Sequence, residues 1–144
     1  MAYTGEREMS LIDTWKEFNE NVITHSAAHH LLAIKELSEI RGYARVTDVA
    51  KHLDITTGSA STNLKGLKQK GLVEEDENRF VKLSSDGQEL AEAILDRRNI
   101  IHSFFRDILG VEANRAEIDA CKTEHLLSKE TTDKMQAFAK KHAA

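Results

Sequence analysis

The chain has 144 residues, about 40% of them apolar, and a net charge of −4, which allows a core of ordinary size and excludes disorder as its general state. It has no proline and only 6% aromatic residues, so helix is favoured, and no apolar run reaches the length of a membrane span. The single cysteine excludes an internal disulfide, and the first eight residues are polar rather than a leader, so a soluble, cytoplasmic protein is expected.

Residues 6–22 place Met9, Leu11, Ile12, Trp15, Phe18 and Val22 at helical spacing, an amphipathic N-terminal extension that docks on another surface. A second helix is expected from Ser26 through His29, Leu31, Leu32, Ile34, Leu37 and Ile40. Gly42 is suited to end it in a left-handed conformation. Thr47 is placed to cap a short helix bearing Val49, Ala50 and Leu53. After a turn at 54–57, a further helix turns Ala60, Leu64 and Leu67 inward and Ser59, Ser61, Thr62, Asn63 and Lys65 outward. Two short helices across a tight turn read as a helix-turn-helix, and the small, polar outward face of the second is what major-groove reading requires. Between residues 57 and 70 the charges are Lys65, Lys68 and Lys70 with no acid, a local basic patch within an acidic chain.

Residues 71–73 and 79–83, separated by the acidic and polar stretch 74–78, read as a β-hairpin, which makes the unit a winged helix. Ser85 with Gln88 forms a capping box for a long helix over 86–109, closed by Gly110. A shorter helix over 112–127 follows, and Ser128 caps a last one reaching Lys141. Within the helix expected over 112–127, Cys121, Glu124 and His125 form C-x-x-E-H. Residues three and four apart share a helix face, so a thiolate, a carboxylate and an imidazole can converge on one cation if a fourth ligand arrives from elsewhere. A buried, inert cysteine in a packed polar cluster is the plain alternative. His25 reads as an exposed residue near a helix start rather than a ligand, His30 points away from His29, and His52 reads as surface or phosphate-facing.

The fold class expected is mostly α, a winged helix-turn-helix followed by a helical domain. In order, GYARVTDVA at 42–50, GSASTNLK at 58–65, KGLV at 70–73, LSSDG at 83–87, FFRDILGV at 104–111 and ACKTEHLLS at 120–128 resemble the diphtheria toxin repressor family of iron- and manganese-dependent winged-helix repressors. The resemblance covers residues 26–139. It implies an N-terminal extension over 1–25, a DNA-binding domain over 26–84 and a metal-binding and dimerisation domain over 85–144. The SH3-like domain of the family's longer members is not expected here. Carried over position by position, the family's regulatory metal site becomes His29, Cys121, Glu124 and His125. Histidine stands where the best-known branches have methionine or aspartate. Cysteine at 121 points to the iron-responsive branch, with Fe(II), Co(II), Ni(II) or Zn(II) suited better than Mn(II).

The family's second site falls on Arg98, His102 and Glu117. Arginine cannot bind a metal, so either His102 and Glu117 keep a degraded second site or Arg98 pairs with Glu117 and substitutes a fixed positive charge. Leu32 and Arg98 stand where a manganese-type paired centre needs a carboxylate and a histidine. By the same resemblance Thr56, Gly58, Ser59, Ser61 and Thr62 face base edges and Lys65 and Lys68 contact phosphates. A metal-corepressed homodimer on a palindromic operator is expected, with no enzyme activity. The alternative within the fold is a winged-helix regulator answering a signal other than metal. A metal-dependent hydrolase is disfavoured for want of a general base beside an open metal position.

Overall fold

The first described helix begins at a side-chain cap. Thr24 is extended, and its Oγ1 accepts a hydrogen bond from the Ala27 amide at 3.1 Å, which starts α1 (His25–Arg41). Gly42 ends it as expected, at φ 80°, with its N–H donating to the Ser38 carbonyl. The structure is a computed structural model that describes residues 10–13 and 23–142, so the helix expected over 6–22 lies, apart from residues 10–13, outside the described residues.

The short α2 (Val46–Leu53) is capped at Arg45, not at Thr47. The Asp48 carboxylate accepts from the Arg45 amide at 2.9 Å and pairs with Arg41 at 2.5 Å, so the acid in the first turn does the anchoring and Thr47 lies inside the helix. Asp54 closes α2 in the left-handed region at φ 55°. Thr56 then caps α3 (Thr57–Gln69), its Oγ1 accepting from the Ser59 amide at 3.1 Å. Ala60, Leu64 and Leu67 are buried, as their spacing predicts. The wing is an antiparallel pair, β1 (Val73–Glu75) and β2 (Val81–Leu83), with Val73 opposite Leu83 and Glu75 opposite Val81. Glu74 and Glu75 thus belong to a strand rather than to the connecting loop. Their side chains point to solvent while Val73 supplies the buried contact. The Val81 amide donates to the Ala44 carbonyl at 2.8 Å, tying the wing to the segment before α2.

The long helix α4 (Ser85–Ser103) is capped one residue earlier than expected, by Ser84, whose Oγ accepts from the Gly87 amide at 3.0 Å. It does not continue as α-helix to Leu109. Residues Phe104–Ile108 widen into a π-turn, and the Leu109 amide donates to the Phe104 carbonyl at 3.1 Å before Gly110 closes it at φ 74°. Glu112 caps α5 (Ala113–Thr123) by accepting from the Asn114 and Arg115 amides. Ser128, as expected, caps α6 (Lys129–His142), accepting from the Thr131 amide at 3.2 Å.

One core joins the winged helix to the start of the helical half. Leu31, Ile34, Leu64, Leu67, Val81, Ala91 and Ile94 pack in one cluster. At about 1.5–3 kcal/mol for each fully buried aliphatic side chain, that cluster is what holds α4 against α1. Among the described residues no helix is long and apolar enough to cross a membrane.

Candidate metal centre and nucleic-acid face

α1 and α5 both pack on α4, which brings together side chains 92 residues apart: Cys121 Sγ lies 3.2 Å from His29 Nε2. Of the three donors in the C-x-x-E-H run, only Cys121 is helical. α5 ends at Thr123, Glu124 is its C-cap, and His125 lies in the turn beyond, because the Leu126 and Leu127 amides both donate back to the Thr123 carbonyl. The turn still delivers Glu124 to the same place. Its Oε1 is 4.0 Å from His29 Nε2, its side chain is fully buried, and neither oxygen accepts a hydrogen bond. His125 Nδ1 is also buried without a hydrogen-bond partner.

Burial pushes the Glu124 carboxyl up to about 7, against the pull of Arg98 and Arg97. Burial, with repulsion from His25, lowers His29 and His125 below the ordinary imidazole value. Burial, followed by the nearby Glu124 charge, raises the Cys121 thiol. An ionised carboxylate held dry and unbonded is costly, and such a group is normally paired or coordinates a metal. A thiolate, a carboxylate and two neutral imidazoles are metal donors of mixed softness, so the residues present fit a divalent transition metal.

Arg98 occupies the far side of this cluster. Its Nε is 3.5 Å from Glu124 Oε2 and its Nη2 is 3.2 Å from Glu117 Oε1. Glu117 is therefore engaged by a guanidinium, while His102 Nε2 is buried without a hydrogen-bond partner. The pairing with Glu117 was an open alternative from sequence. The contact with Glu124 was not foreseen.

His25 stands at the start of α1, as an exposed residue, in the way its sequence position predicts. Yet its ring centroid stands 4.5 Å from that of His29 and 5.0 Å from that of His125. One donor atom each from His25, His29 and Cys121 fall within 4.8 Å of one another. The i, i+4 spacing of the two histidines carried the signal. His30 turns inward, its Nδ1 donating to the Ser26 carbonyl at 2.6 Å. His52 stays at the surface but meets Glu36 of α1 at 2.9 Å rather than facing outward for a phosphate.

On α3, Thr56, Gly58, Ser59, Ser61, Thr62 and Lys65 are all exposed. Two of the hydroxyls are already used locally: Thr56 caps the helix, and Thr62 Oγ1 donates to the Gly58 carbonyl at 3.0 Å. Lys68 pairs with Glu75 of the wing, so its ammonium braces the hairpin against α3. On the other side of the wing the Arg45 guanidinium lies 4.5 Å from the Phe80 ring centroid, a cation–π contact.

Comparison with known proteins agrees with this arrangement. A family model described as "Iron dependent repressor, metal binding and dimerisation domain" matches residues 84–143. The transcriptional regulator MntR of Escherichia coli O6:H1 is 35% identical over 111 residues, covering 77% of this chain and 71% of that protein. An uncharacterized HTH-type transcriptional regulator of Methanocaldococcus jannaschii is 32% identical, covering 67% of this chain and 78% of its own. Among solved structures, a hypothetical protein from Sulfolobus solfataricus has a TM-score of 0.70 at 23% identity, covering 83% of this chain and 91% of that one. The manganese regulator SloR has a TM-score of 0.72 at 24% identity, covering 82% of this chain but only 55% of SloR. Those structural likenesses establish the winged-helix and helical-domain fold. With the sequence relatives they place the chain in a family: it belongs to the iron- and manganese-dependent repressors, the diphtheria toxin repressor family.

Proposed function

We propose that the chain is a metal-responsive DNA-binding repressor, a homodimer acting on a palindromic operator. Residues 26–84 form the DNA-binding unit and residues 85–144 the metal-binding and dimerisation unit, after the extension over 1–25. The observation that carries this reading is the fully buried Glu124 carboxylate, unbonded and 4.0 Å from His29, with Cys121 3.2 Å from the same imidazole. His29, Cys121, Glu124 and His125 would hold a divalent cation, which when bound supplies a cross-link between α1 and the end of α5. His29 sits on the helix that packs directly on α3, so fixing it fixes the recognition helix relative to the helical half. In a two-fold dimer that sets the spacing of the two recognition helices for successive major grooves. The exposed polar residues of α3 read bases, and Lys65 adds phosphate affinity.

SloR is a manganese regulator, but the Cys121 thiolate beside imidazoles argues for a softer cation here, Fe(II) before Co(II), Ni(II) or Zn(II). For the second site the fixed-charge alternative is the one proposed: Arg98, bonded to Glu117 and close to Glu124, takes the place of a second cation. Calorimetric titration is expected to give one equivalent of metal per chain, and Arg98→His to admit a second through His102 and Glu117. A parent protein that takes two equivalents refutes the substitution.

The test of function is recovery of genomic fragments by the purified protein, under anaerobic conditions, with each of Fe(II), Mn(II), Zn(II) and Co(II) or with chelator. One metal is expected to select a palindromic fragment, with His29→Ala and Cys121→Ala each weakening that selection at least about tenfold. Equal recovery under chelator and in both variants would make the chain a winged-helix regulator of another signal.

A further inference from the structure

The donor set inferred so far takes one ligand from α1. The structure assigns a second: we propose that His25 binds the same cation as His29, so that the centre presents three imidazoles and a thiolate and is built for a borderline divalent metal of the Fe(II), Co(II) or Zn(II) class rather than for Mn(II). This inference rests on the metal-centre reading above and extends it by a residue.

His25 is the first residue of α1, one helical turn before His29, and the Thr24 cap fixes that turn. The two rings meet edge to face at 4.5 Å, and the His25 ring also faces that of His125 at 5.0 Å. His25 thus lies between both imidazoles of the centre rather than beside one of them. Ligands at about 2.0–2.3 Å from a tetrahedral cation stand about 3.5 Å apart. His29 Nε2 and Cys121 Sγ already have that separation, at 3.2 Å. The third donor, His25, lies within 4.8 Å of both, and its exposure leaves its ring free to close the remaining distance. An exposed histidine at a helix start needs no partner, yet two further imidazoles and a cysteine converge on this one. Among the described residues, this is the group in which three metal-donor side chains come so close together.

The consequence is selectivity. Three nitrogens and a sulfur favour a cation that accepts low coordination number and soft donors, whereas Mn(II) prefers a majority of oxygens. Glu124, drawn towards Arg98 through one oxygen, is left with Oε1 to complete or balance the set.

The experiment is an anaerobic Co(II) titration of the full chain followed by optical absorption, with His25→Ala, His25→Cys and Cys121→Ser run beside the parent. The parent is expected to show a near-ultraviolet thiolate-to-cobalt band that Cys121→Ser removes. His25→Ala is expected to weaken Co(II) binding by about tenfold or more, and competition with Zn(II) to show the same loss. His25→Cys should raise the thiolate-to-cobalt band to about twice the parent's, because a second sulfur then binds the ion. If the parent shows the band but His25→Ala binds as tightly and His25→Cys adds no intensity, His25 is not a ligand and the four-residue centre stands without it. A parent with no thiolate band at all overturns the metal centre itself, and this inference with it.

Discussion

Glu124→Gln is expected to flatten the pH dependence of the metal-free protein's stability while abolishing tight cation binding. In the parent, burial raises the Glu124 carboxyl from its ordinary 4.5 to about 7. Between those values the folded state holds a proton that the unfolded state has released, so stability falls as pH rises through the window and levels off above it. A shift of this size corresponds to a loss on the order of 3 kcal/mol between pH ~4.5 and pH ~8. His29 and His125 act in the opposite direction, because burial holds both below the usual imidazole value and their contribution grows as pH rises towards 6.5. Arg98 and Arg97 are the cations facing Glu124. The difference between parent and variant therefore isolates the carboxylate. Urea unfolding under chelator at several pH values should show the variant gaining on the parent as pH rises. Parallel curves would mean that the carboxylate pays no penalty for its burial. With metal present the order reverses, since the parent gains RT ln(1 + [metal]/Kd) and the variant has lost its anionic donor. A site that weakens its own apo fold is a reasonable design for a sensor, because the energy withheld in the absence of the cation is returned on binding.

The same residue shows how far the sequence could be read. Its position in C-x-x-E-H reads as that of a ligand, and the two short helices with the hairpin after them read as a winged helix, since both are local patterns of period and spacing. What was missed depended on three-dimensional competition. The end of α5 at Thr123 follows from two amides returning to one carbonyl, which no residue preference in KTEHLL declares. Ser84 and Ser85 are equivalent as caps on paper, and the choice falls on Ser84 because its hydroxyl also reaches the Gly71 carbonyl of the wing, at 2.6 Å. Arg45 displaces Thr47 as a cap because Asp48 reaches back to its amide. His25 reads as an exposed residue near a helix start and is one, but its approach to His125, one hundred positions away in the chain, arises only on folding. From sequence Arg98 pairs with Glu117 alone, one helix-to-helix contact, whereas its guanidinium spans both Glu117 and Glu124.

Gly87→Ala is the substitution expected to cost the fold most. Gly87 lies in the first turn of α4, buried against the wing, and a Cβ there would overlap the Leu72 carbonyl oxygen and stand 3.0 Å from its carbon. The obstacle is backbone, so no side-chain rotation relieves it. That backbone is itself held in place: the Ser84 amide donates to the same Leu72 oxygen at 3.0 Å, and Leu72 is buried in the core. Relief requires moving α4 away from β1, which opens the cluster around Ala91 and Ile94. Overpacking against a rigid element of this kind is expected to cost about 3 kcal/mol or more, a fall in Tm of roughly 10 °C for a chain of this size. Gly66→Ala is the control. Gly66 lies within α3 with nothing inside 4 Å of its Cβ position, so alanine there should stabilise the helix by roughly 0.5–1 kcal/mol. Thermal unfolding of the two variants under chelator separates the close approach from the general preference of helices for alanine. Equal and small effects at both positions would show that α4 does not rest on the wing. A large loss confined to Gly87 would identify this contact as the joint between α4 and the segment leading into the wing.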